Sequence, residues 1–329
     1  MRSLLWLCAV AIATGCGDDG GGADTDLGVG STSTSSTDAP TTDAPSTDPG
    51  STTALGSSSG SLETSGEDSS TSSGSSSTGG PAGSEGCGVP AADTPMTWSE
   101  HTLDVGGVER RYWVWLPEGY DPMRPYPVVY QFHGCSGGDS PQNNNPPVQD
   151  QSGSDAIHIR GRAVGECWDS ASEGADVMFF DALMADVDAT LCADPARRFA
   201  TGYSSGAFMS HRLGCERADV LRGVATIAGG MGGSDCPGQV AVLLIHDVDD
   251  GTVGIGASIG ARDAYLERNG CDLEAGTTPV DPEPCAIYSG CDAGYDVVWC
   301  ETSGQDHSRQ DGLSAPAFWG FLSALPALD

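Results

Sequence analysis

A serine flanked by glycines in the pattern Gly-x-Ser-x-Gly occurs twice in this chain of 329 residues, as GYSSG at Gly202–Gly206 and as GSSSG at Gly56–Gly60. Such a serine can act as a nucleophile when a strand precedes it and a helix follows it, because the sharp turn between them lifts the hydroxyl above a sheet. The strand-like RFATGY precedes Ser204 and helix-forming residues follow it, whereas Ser58 lies in polar sequence with neither neighbour. We therefore predict Ser204 as the nucleophile and interpret the second copy as a chance match.

A serine hydroxyl is a weak nucleophile until a base removes its proton, and that base needs an acid to orient it. Of the six histidines, His307 alone lies downstream of candidate acids, in a loop after the last predicted strand. The acids Asp247, Asp249 and Asp250 follow the apolar strand VAVLLIH. Asp250 is favoured as the catalytic acid because it begins the turn DGTV. Asp247 and Asp249 would then be loop or capping acids. We interpret His246 as a packing or hydrogen-bonding residue.

Attack on a carbonyl group places negative charge on its oxygen, which two backbone N–H groups can stabilise. One is expected from Ser205, the residue after the nucleophile. The second is expected from Cys135, in the segment HGCSGG that follows the strand VVYQF.

Strand patterns and helix patterns alternate along the second part of the chain, which predicts a mostly parallel sheet with helices on both faces and an active site at the carboxyl ends of the strands. The order Ser, Asp, His matches the α/β-hydrolase fold, so the predicted class is α/β with that fold. The predicted strands are RRYWVWLP, YPVVYQFHG, AIHIRGRAV, RFATGY, GVATIAGG, QVAVLLIHDV and YDVVWCETSG, and the predicted helices are DVMFFDALMADVDATLC, SSGAFMSHRLGCE, SIGARDAYLERNG and APAFWGFLSAL.

The first 16 residues have the character of an export signal, with a positive charge at Arg2 and an apolar run, Leu4–Ala13, that ends in small residues. A membrane span needs about 20 apolar residues, so this run is too short. Small residues before Cys16 resemble a bacterial lipobox, which predicts lipidation of Cys16 and a cell-surface lipoprotein. Plain secretion is the alternative.

Residues 17–86 consist almost entirely of Gly, Ser, Thr, Asp, Pro and Ala. Such a composition cannot bury enough apolar surface to offset the entropy of ordering, so we predict a disordered linker. Residues 87–329 are then expected to form a single α/β domain, long enough for a substantial core.

Ten of the 12 cysteines remain when Cys8 and Cys16 are set aside, and an even number in an exported chain predicts up to five disulfides. A metal site is not expected, because the cysteines form no C-x-x-C pair and no histidine lies at ligand spacing from a cysteine pair. Four cysteines fall in the range Cys271–Cys300, which predicts a disulfide-rich insert near the C-terminus. Cys167 is a candidate partner for Cys135, since both are expected at strand ends on one edge of the sheet, and the other pairings stay open.

The formal net charge is −32, and all 14 basic residues are arginines. Nucleic acid and anionic lipid are therefore poor partners for this chain. We expect a monomer that meets a membrane only through a lipid anchor.

The strand, helix and loop segments quoted above together resemble the extracellular polyhydroxybutyrate depolymerase and feruloyl esterase family of α/β-hydrolases. The similarity runs in order from about Arg110 to Phe321, and its more specific parts are HGC, CADPARRFATGYSSG and the spacing to RNGC. The resemblance implies Ser204 as nucleophile, Asp250 as acid, His307 as base, and ester hydrolysis without a cofactor.

Two features separate the branches of that family. Many depolymerases have Trp-Pro shortly after the catalytic histidine, where this chain has Ser308, Arg309 and Gln310, and the cysteine-rich insert resembles the feruloyl esterase branch. We therefore expect a feruloyl esterase that acts on plant cell-wall polysaccharide esters, with Trp168 lining an aromatic acyl pocket or packing in the core. The alternatives are a poly(3-hydroxybutyrate) depolymerase, a secreted peptidase of the same fold, or a non-catalytic binding protein on a hydrolase scaffold.

Overall fold

The computed structural model describes residues 83–137, 140, 144–232 and 236–327. The predicted signal peptide with Cys16, the Ser58 motif and all but the last four residues of the predicted linker lie outside these ranges. Within them, no helix combines the length and apolar character needed to cross a membrane.

A ten-stranded sheet forms the centre of the domain, with the strand order β1-β2-β4-β3-β5-β6-β7-β10-β9-β8. The six strands from β4 to β10 in this order run parallel, and the strands outside them pair antiparallel. This confirms the predicted mostly parallel sheet. The strands are β1 (Trp98–Val105), β2 (Val108–Trp115), β3 (Tyr126–Phe132), β4 (Ile157–Gly161), β5 (Ala193–Tyr203), β6 (Gly223–Ile227), β7 (Ala241–Asp247), β8 (Thr277–Pro279), β9 (Cys285–Tyr288) and β10 (Val297–Thr302).

Helices cover both faces of this sheet, as the alternating pattern predicts. Three of the helices contribute Phe180, Met209 and Tyr265 to one apolar core. The last helix contributes Phe318 to the other core. Every residue of β3 is buried, because this central strand is covered on both faces. The helices are α1 (Gln149–Ser152), α2 (Ala175–Thr190), α3 (Ser205–Glu216), α4 (Gly256–Arg268) and α5 (Asp311–Ala324), with a 3₁₀ turn at Leu273–Ala275.

All ten cysteines of the predicted domain pair, which confirms the disulfide prediction. The proposed pairing of Cys135 with Cys167 is present, and two bonds hold the insert together. The disulfides are Cys87–Cys192, Cys135–Cys167, Cys215–Cys236, Cys271–Cys291 and Cys285–Cys300.

The described residues just before the predicted boundary at residue 87 also contact the domain. The Ser84 amide donates to the Ala193 carbonyl at 2.9 Å, and the Gly86 amide donates to the Asp188 carbonyl at 2.7 Å. These bonds fix the end of the predicted linker against α2 and β5.

Loop length predicts how much each disulfide stabilises the domain. The Cys87–Cys192 bond spans 105 residues and the Cys271–Cys291 bond spans 20. Replacing both cysteines with alanine should cost about 5 kcal/mol of unfolding free energy for the longer loop and about 3 kcal/mol for the shorter one. Denaturant unfolding of the two double variants checks this order, and a larger loss for the shorter loop would contradict it.

Candidate active site

The serine motif forms a tight turn between β5 and α3. Ser204 has φ 54° and ψ −120°, a backbone conformation that residues other than glycine rarely adopt. Its amide donates to the carbonyl of Ile227 on the neighbouring β6 at 3.0 Å. The turn therefore holds Ser204 at the carboxyl edge of the sheet.

The two glycines of the motif are required by close backbone contacts. A Cβ atom on Gly202 would lie 2.1 Å from the carbonyl oxygen of Gly206, and one on Gly206 would lie 1.8 Å from the carbonyl oxygen of Phe132. Only glycine allows α3 to approach β3 and β5 this closely.

An unbroken chain of hydrogen bonds links the three residues predicted from the sequence. The Ser204 Oγ atom lies 2.9 Å from Nε2 of His307, and Nδ1 of His307 lies 2.7 Å from Oδ2 of Asp250. Asp250 follows β7 and His307 follows β10, and because these strands are parallel neighbours their carboxyl ends meet at one edge. The Asp250 side chain is fully buried, whereas the His307 side chain is 16% exposed.

The Asp250 carboxylate is held in its ionised form by its hydrogen bonds. Its Oδ1 atom accepts from the amides of Thr252 at 2.9 Å and Val253 at 2.8 Å. Burial by itself would raise the pKa of Asp250, but the hydrogen bonds from His307 and these two amides outweigh burial and hold the pKa below its ordinary value. An ionised carboxylate at this position can stabilise a protonated His307.

His246 lies on the other side of the same carboxylate and is completely buried. Its Nε2 atom is 2.7 Å from the Val253 carbonyl oxygen and 3.4 Å from Oδ2 of Asp250. A carbonyl oxygen only accepts, so Nε2 carries a proton and donates. Nδ1 of His246 lies 2.5 Å from the Ser258 hydroxyl. The residue therefore fixes the turn that carries Asp250, a hydrogen-bonding role of the kind predicted.

The two alternative acids bind the backbone of the histidine loop. Oδ2 of Asp247 accepts from the Thr302 hydroxyl at 2.9 Å and from the Gln305 amide at 3.0 Å. Oδ2 of Asp249 accepts from the Gly304 amide at 2.8 Å. They tie the loop after β7 to the loop after β10, so they act as the loop acids that the sequence left open.

Tyr203, inside the serine motif, also positions the histidine, a contact that sequence reasoning missed. Its hydroxyl donates to the backbone carbonyl of His307 at 3.0 Å, and the centroids of the two rings are 5.1 Å apart. The sequence feature that could have indicated this role is the position of Tyr203 between Gly202 and Ser204 in the serine motif.

The two predicted oxyanion donors lie on either side of Ser204. Ser205 is the first residue of α3, where the amides of a helix are unpaired and the helix dipole favours negative charge. Cys135 follows Gly134, where a Cβ atom would lie only 3.4 Å from Cβ of Ser204. Within the described ranges, neither the Cys135 nor the Ser205 amide donates to a backbone carbonyl. The two N–H groups therefore stay the predicted donors to an oxyanion.

Several contacts hold the loop that carries Cys135. The Cys135–Cys167 bond and a 2.7 Å hydrogen bond from the Ser136 amide to the Glu166 carbonyl join it to the segment after β4. His133 accepts from the Ala163 amide through Nε2 at 3.2 Å, and burial lowers its pKa, so its ring is neutral.

Trp168 packs in the core, which is one of the two roles that the sequence left open for it. Its side chain is only 6% exposed and packs edge-on against Phe132, with ring centroids 5.0 Å apart. Its indole N–H donates to the carbonyl of His133 at 2.9 Å, and its backbone amide donates to the Ser205 hydroxyl at 2.9 Å. Trp168 therefore contacts both segments that carry the predicted oxyanion donors.

Among the described residues, no group of three or more His, Cys, Asp or Glu side chains is arranged to hold a metal ion. What the structure brings together is a serine hydroxyl, a histidine base, a buried carboxylate and two backbone donors, which together can attack a carbonyl carbon and stabilise the oxyanion that forms.

The fold and this site define a serine hydrolase of the α/β-hydrolase class. No family model matches the chain. Feruloyl esterase D of Neurospora crassa is 31% identical over 272 residues, covering 74% of this chain and 90% of that protein. Feruloyl esterase C of Emericella nidulans is 31% identical over 262 residues, covering 72% and 93%. The chain belongs to the feruloyl esterase family, and it is a carboxylic-ester hydrolase.

Solved structures agree with the fold assignment. Acetyl xylan esterase from Aspergillus awamori superposes with a TM-score of 0.55 at 15% identity, covering 68% of this chain and 99% of that chain. The feruloyl esterase module from Clostridium thermocellum superposes with a TM-score of 0.52 at 13% identity, covering 70% and 90%. At such identities the likeness shows the α/β-hydrolase fold alone.

Gly206→Ala should destabilise the domain by roughly 3 kcal/mol or more, because its Cβ atom would overlap the backbone of β3. Gly260 in α4 is the matched control, since a Cβ atom there meets no atom within 4 Å. Gly260→Ala should stabilise by about 0.5–1 kcal/mol, because alanine favours a helix. Thermal and denaturant unfolding measure both variants, and equal stabilities would refute the close-contact argument.

Asp250→Asn should lower kcat roughly 10³- to 10⁴-fold, because a neutral amide cannot stabilise the protonated histidine. In Asp249→Asn the amide oxygen still accepts from the Gly304 amide, so we expect a loss of less than about tenfold. Steady-state kinetics on a soluble aryl ester distinguish the two acids. A larger loss in the Asp249 variant would reverse their assignment.

Proposed function

We propose that this protein is a serine esterase that releases hydroxycinnamic acids such as ferulic acid from esters with plant cell-wall polysaccharides. The observation that carries the proposal is the hydrogen-bonded chain from Ser204 through His307 to Asp250. Membership of the feruloyl esterase family supports the substrate class.

In the first half of the reaction, Oγ of Ser204 attacks the ester carbonyl carbon while Nε2 of His307 takes its proton. The backbone N–H groups of Ser205 and Cys135 bind the negative oxygen of the tetrahedral intermediate. When the intermediate collapses, His307 returns the proton to the oxygen of the leaving alcohol. The acid part of the ester stays bound to Ser204 as an acyl-enzyme.

In the second half, a water molecule takes the place of the alcohol beside His307. Nε2 removes a proton from that water, the resulting hydroxide attacks the acyl carbon, and the same two amides bind the oxyanion. Collapse breaks the bond to Oγ, and the proton returns from His307 to Ser204. Asp250 keeps the histidine ring oriented throughout both halves.

The five disulfides support an oxidising compartment outside the cytoplasm for this domain. For the residues before the domain, we propose an export signal over residues 1–16, lipid attachment at Cys16 and a flexible tether over residues 17–86. In this arrangement the esterase domain would act as a monomer, held away from the membrane by the tether. The support for it is the composition of these segments.

A fluorophosphonate probe tests the nucleophile, because it reacts with activated serines. We expect stoichiometric labelling of Ser204 and a loss of at least about 10³-fold in kcat on methyl ferulate for Ser204→Ala. Ser205→Ala, which keeps the backbone donor, controls for the neighbouring hydroxyl. Equal activity of Ser204→Ala and the wild type would falsify the mechanism.

Rates on methyl ferulate and on short 3-hydroxybutyrate oligomers test the substrate class separately. The proposal expects kcat/KM to be higher on methyl ferulate. A preference for the hydroxybutyrate oligomers would keep the serine mechanism and replace the substrate.

A further inference from the structure

A cavity of about 510 Å³ opens beside the loop that carries His307, on the side of the cysteine-rich insert. We refer to it as the insert groove. Its polar lining includes Glu283, Glu301, Ser303, Gln305, Gln310 and Asp311. His307 is not among the lining residues, and its ring bonds to Ser204 instead. The groove is therefore separate from the catalytic contacts.

The groove and the catalytic loop are physically connected. Gln305 is two residues from His307, which places their Cα atoms within about 7 Å. The Thr302 hydroxyl, in the groove, accepts from the Gln310 side chain at 2.9 Å and donates to Asp247 at 2.9 Å. A molecule in the groove would therefore lie against the loop that holds the base.

The reaction determines which part of the substrate faces this side. His307 hands its proton to the oxygen of the leaving alcohol, so the alcohol part of the ester lies on the side of His307. In an ester between a hydroxycinnamic acid and a polysaccharide, the alcohol part is the sugar. The groove is thus on the side where the polysaccharide chain leaves the active site.

The side chains of the groove match sugar hydroxyls. Glu283, Glu301, Ser303 and Gln305 are exposed, and their side chains form no hydrogen bond with any other described part of the chain. Carboxylates, amides and hydroxyls supply both the acceptors and the donors that a polyhydroxylated ligand requires.

Charge restricts the ligand further. The lining contains three carboxylates, on Glu283, Glu301 and Asp311, and no basic residue. Asp311 forms an ion pair with Arg309 at 2.8 Å, so the repulsive charge of the groove comes from Glu283 and Glu301. A polysaccharide rich in uronic acids would be repelled by these carboxylates, whereas the hydroxyls of a neutral pentose or hexose chain would donate hydrogen bonds to them.

The insert disulfide fixes the two walls of the groove relative to each other. Glu283 and Pro284 directly precede Cys285, Glu301 directly follows Cys300, and the Cys285–Cys300 bond joins the two segments. Cys285 and Cys300 also face each other across the antiparallel pair of β9 and β10. A groove with rigid walls binds a flexible sugar chain at a lower entropic cost.

From the position, chemistry and charge of this groove, we propose that it binds neutral sugar residues of the polysaccharide that carries the ester. This inference rests on the proposed function. It adds a binding site for the alcohol part of the substrate, formed by the insert and the loop after β10.

Two substrates with the same acid and different alcohols test the site. In Glu283→Ala and Glu301→Ala we expect kcat/KM on a feruloylated neutral arabinoxylan oligosaccharide to fall at least about fivefold each, the loss expected for one hydrogen bond to a carboxylate. On methyl ferulate, which has no sugar, kcat/KM should stay within about twofold. Glu274→Ala, an exposed glutamate of the same insert outside the groove, is the matched control and should leave both substrates unchanged.

The charge argument has its own variant. The double variant Glu283→Gln with Glu301→Gln keeps hydrogen-bonding groups and removes both charges. The ratio of its kcat/KM on a feruloylated galacturonate oligosaccharide to that on the neutral oligosaccharide should therefore rise above the wild-type ratio. Unchanged kcat/KM on the neutral oligosaccharide in both alanine variants would overturn the groove proposal. An equal fall on both substrates would also overturn it, because that result indicates a general effect on the catalytic loop. If the wild type cleaves neither ester while Ser204 still reacts with a fluorophosphonate, the proposed function fails instead.

Discussion

The hydrogen bond between Asp250 and His307 joins two loops that leave neighbouring parallel strands, and the geometry of the whole site depends on keeping these loops together. The register of β7 and β10 places Asp247 opposite Thr302, so both loops start at the same height above the sheet. Asp247 and Asp249 then bind backbone amides of the histidine loop. Three aspartates in one short segment therefore do two tasks, since two of them hold the loop and the third orients the ring.

Much of this site could be predicted from the sequence because its requirements are local. The turn at Ser204 needs a strand, two glycines and a helix within a few residues, and all of these are visible in the printed letters. The turn after β7 likewise distinguishes Asp250 from its neighbours by position. The class of fold followed from the same local patterns, because buried parallel strands have continuous apolar sequences.

The parts that could not be predicted depend on contacts between distant residues. Asp249 contacts a residue 55 positions away, so no local pattern reveals its role. The strands β8 and β9 have only three and four residues, and their position follows from disulfides whose partners the sequence left open. Trp168 illustrates a different difficulty, because an aromatic side chain near a site is equally compatible with a pocket and with the core. β1 was missed because its side chains are mostly polar or half-exposed on an edge of the sheet.

The bond between Cys135 and Cys167 has a consequence for when the protein becomes competent. With the proposed role of the Cys135 amide, oxidation of this pair fixes the loop that carries one of the two proposed oxyanion donors. A newly made chain with reduced cysteines would hold that loop without its covalent link to the segment that carries Trp168. The covalent link that helps to hold this loop therefore forms only where cysteines can be oxidised.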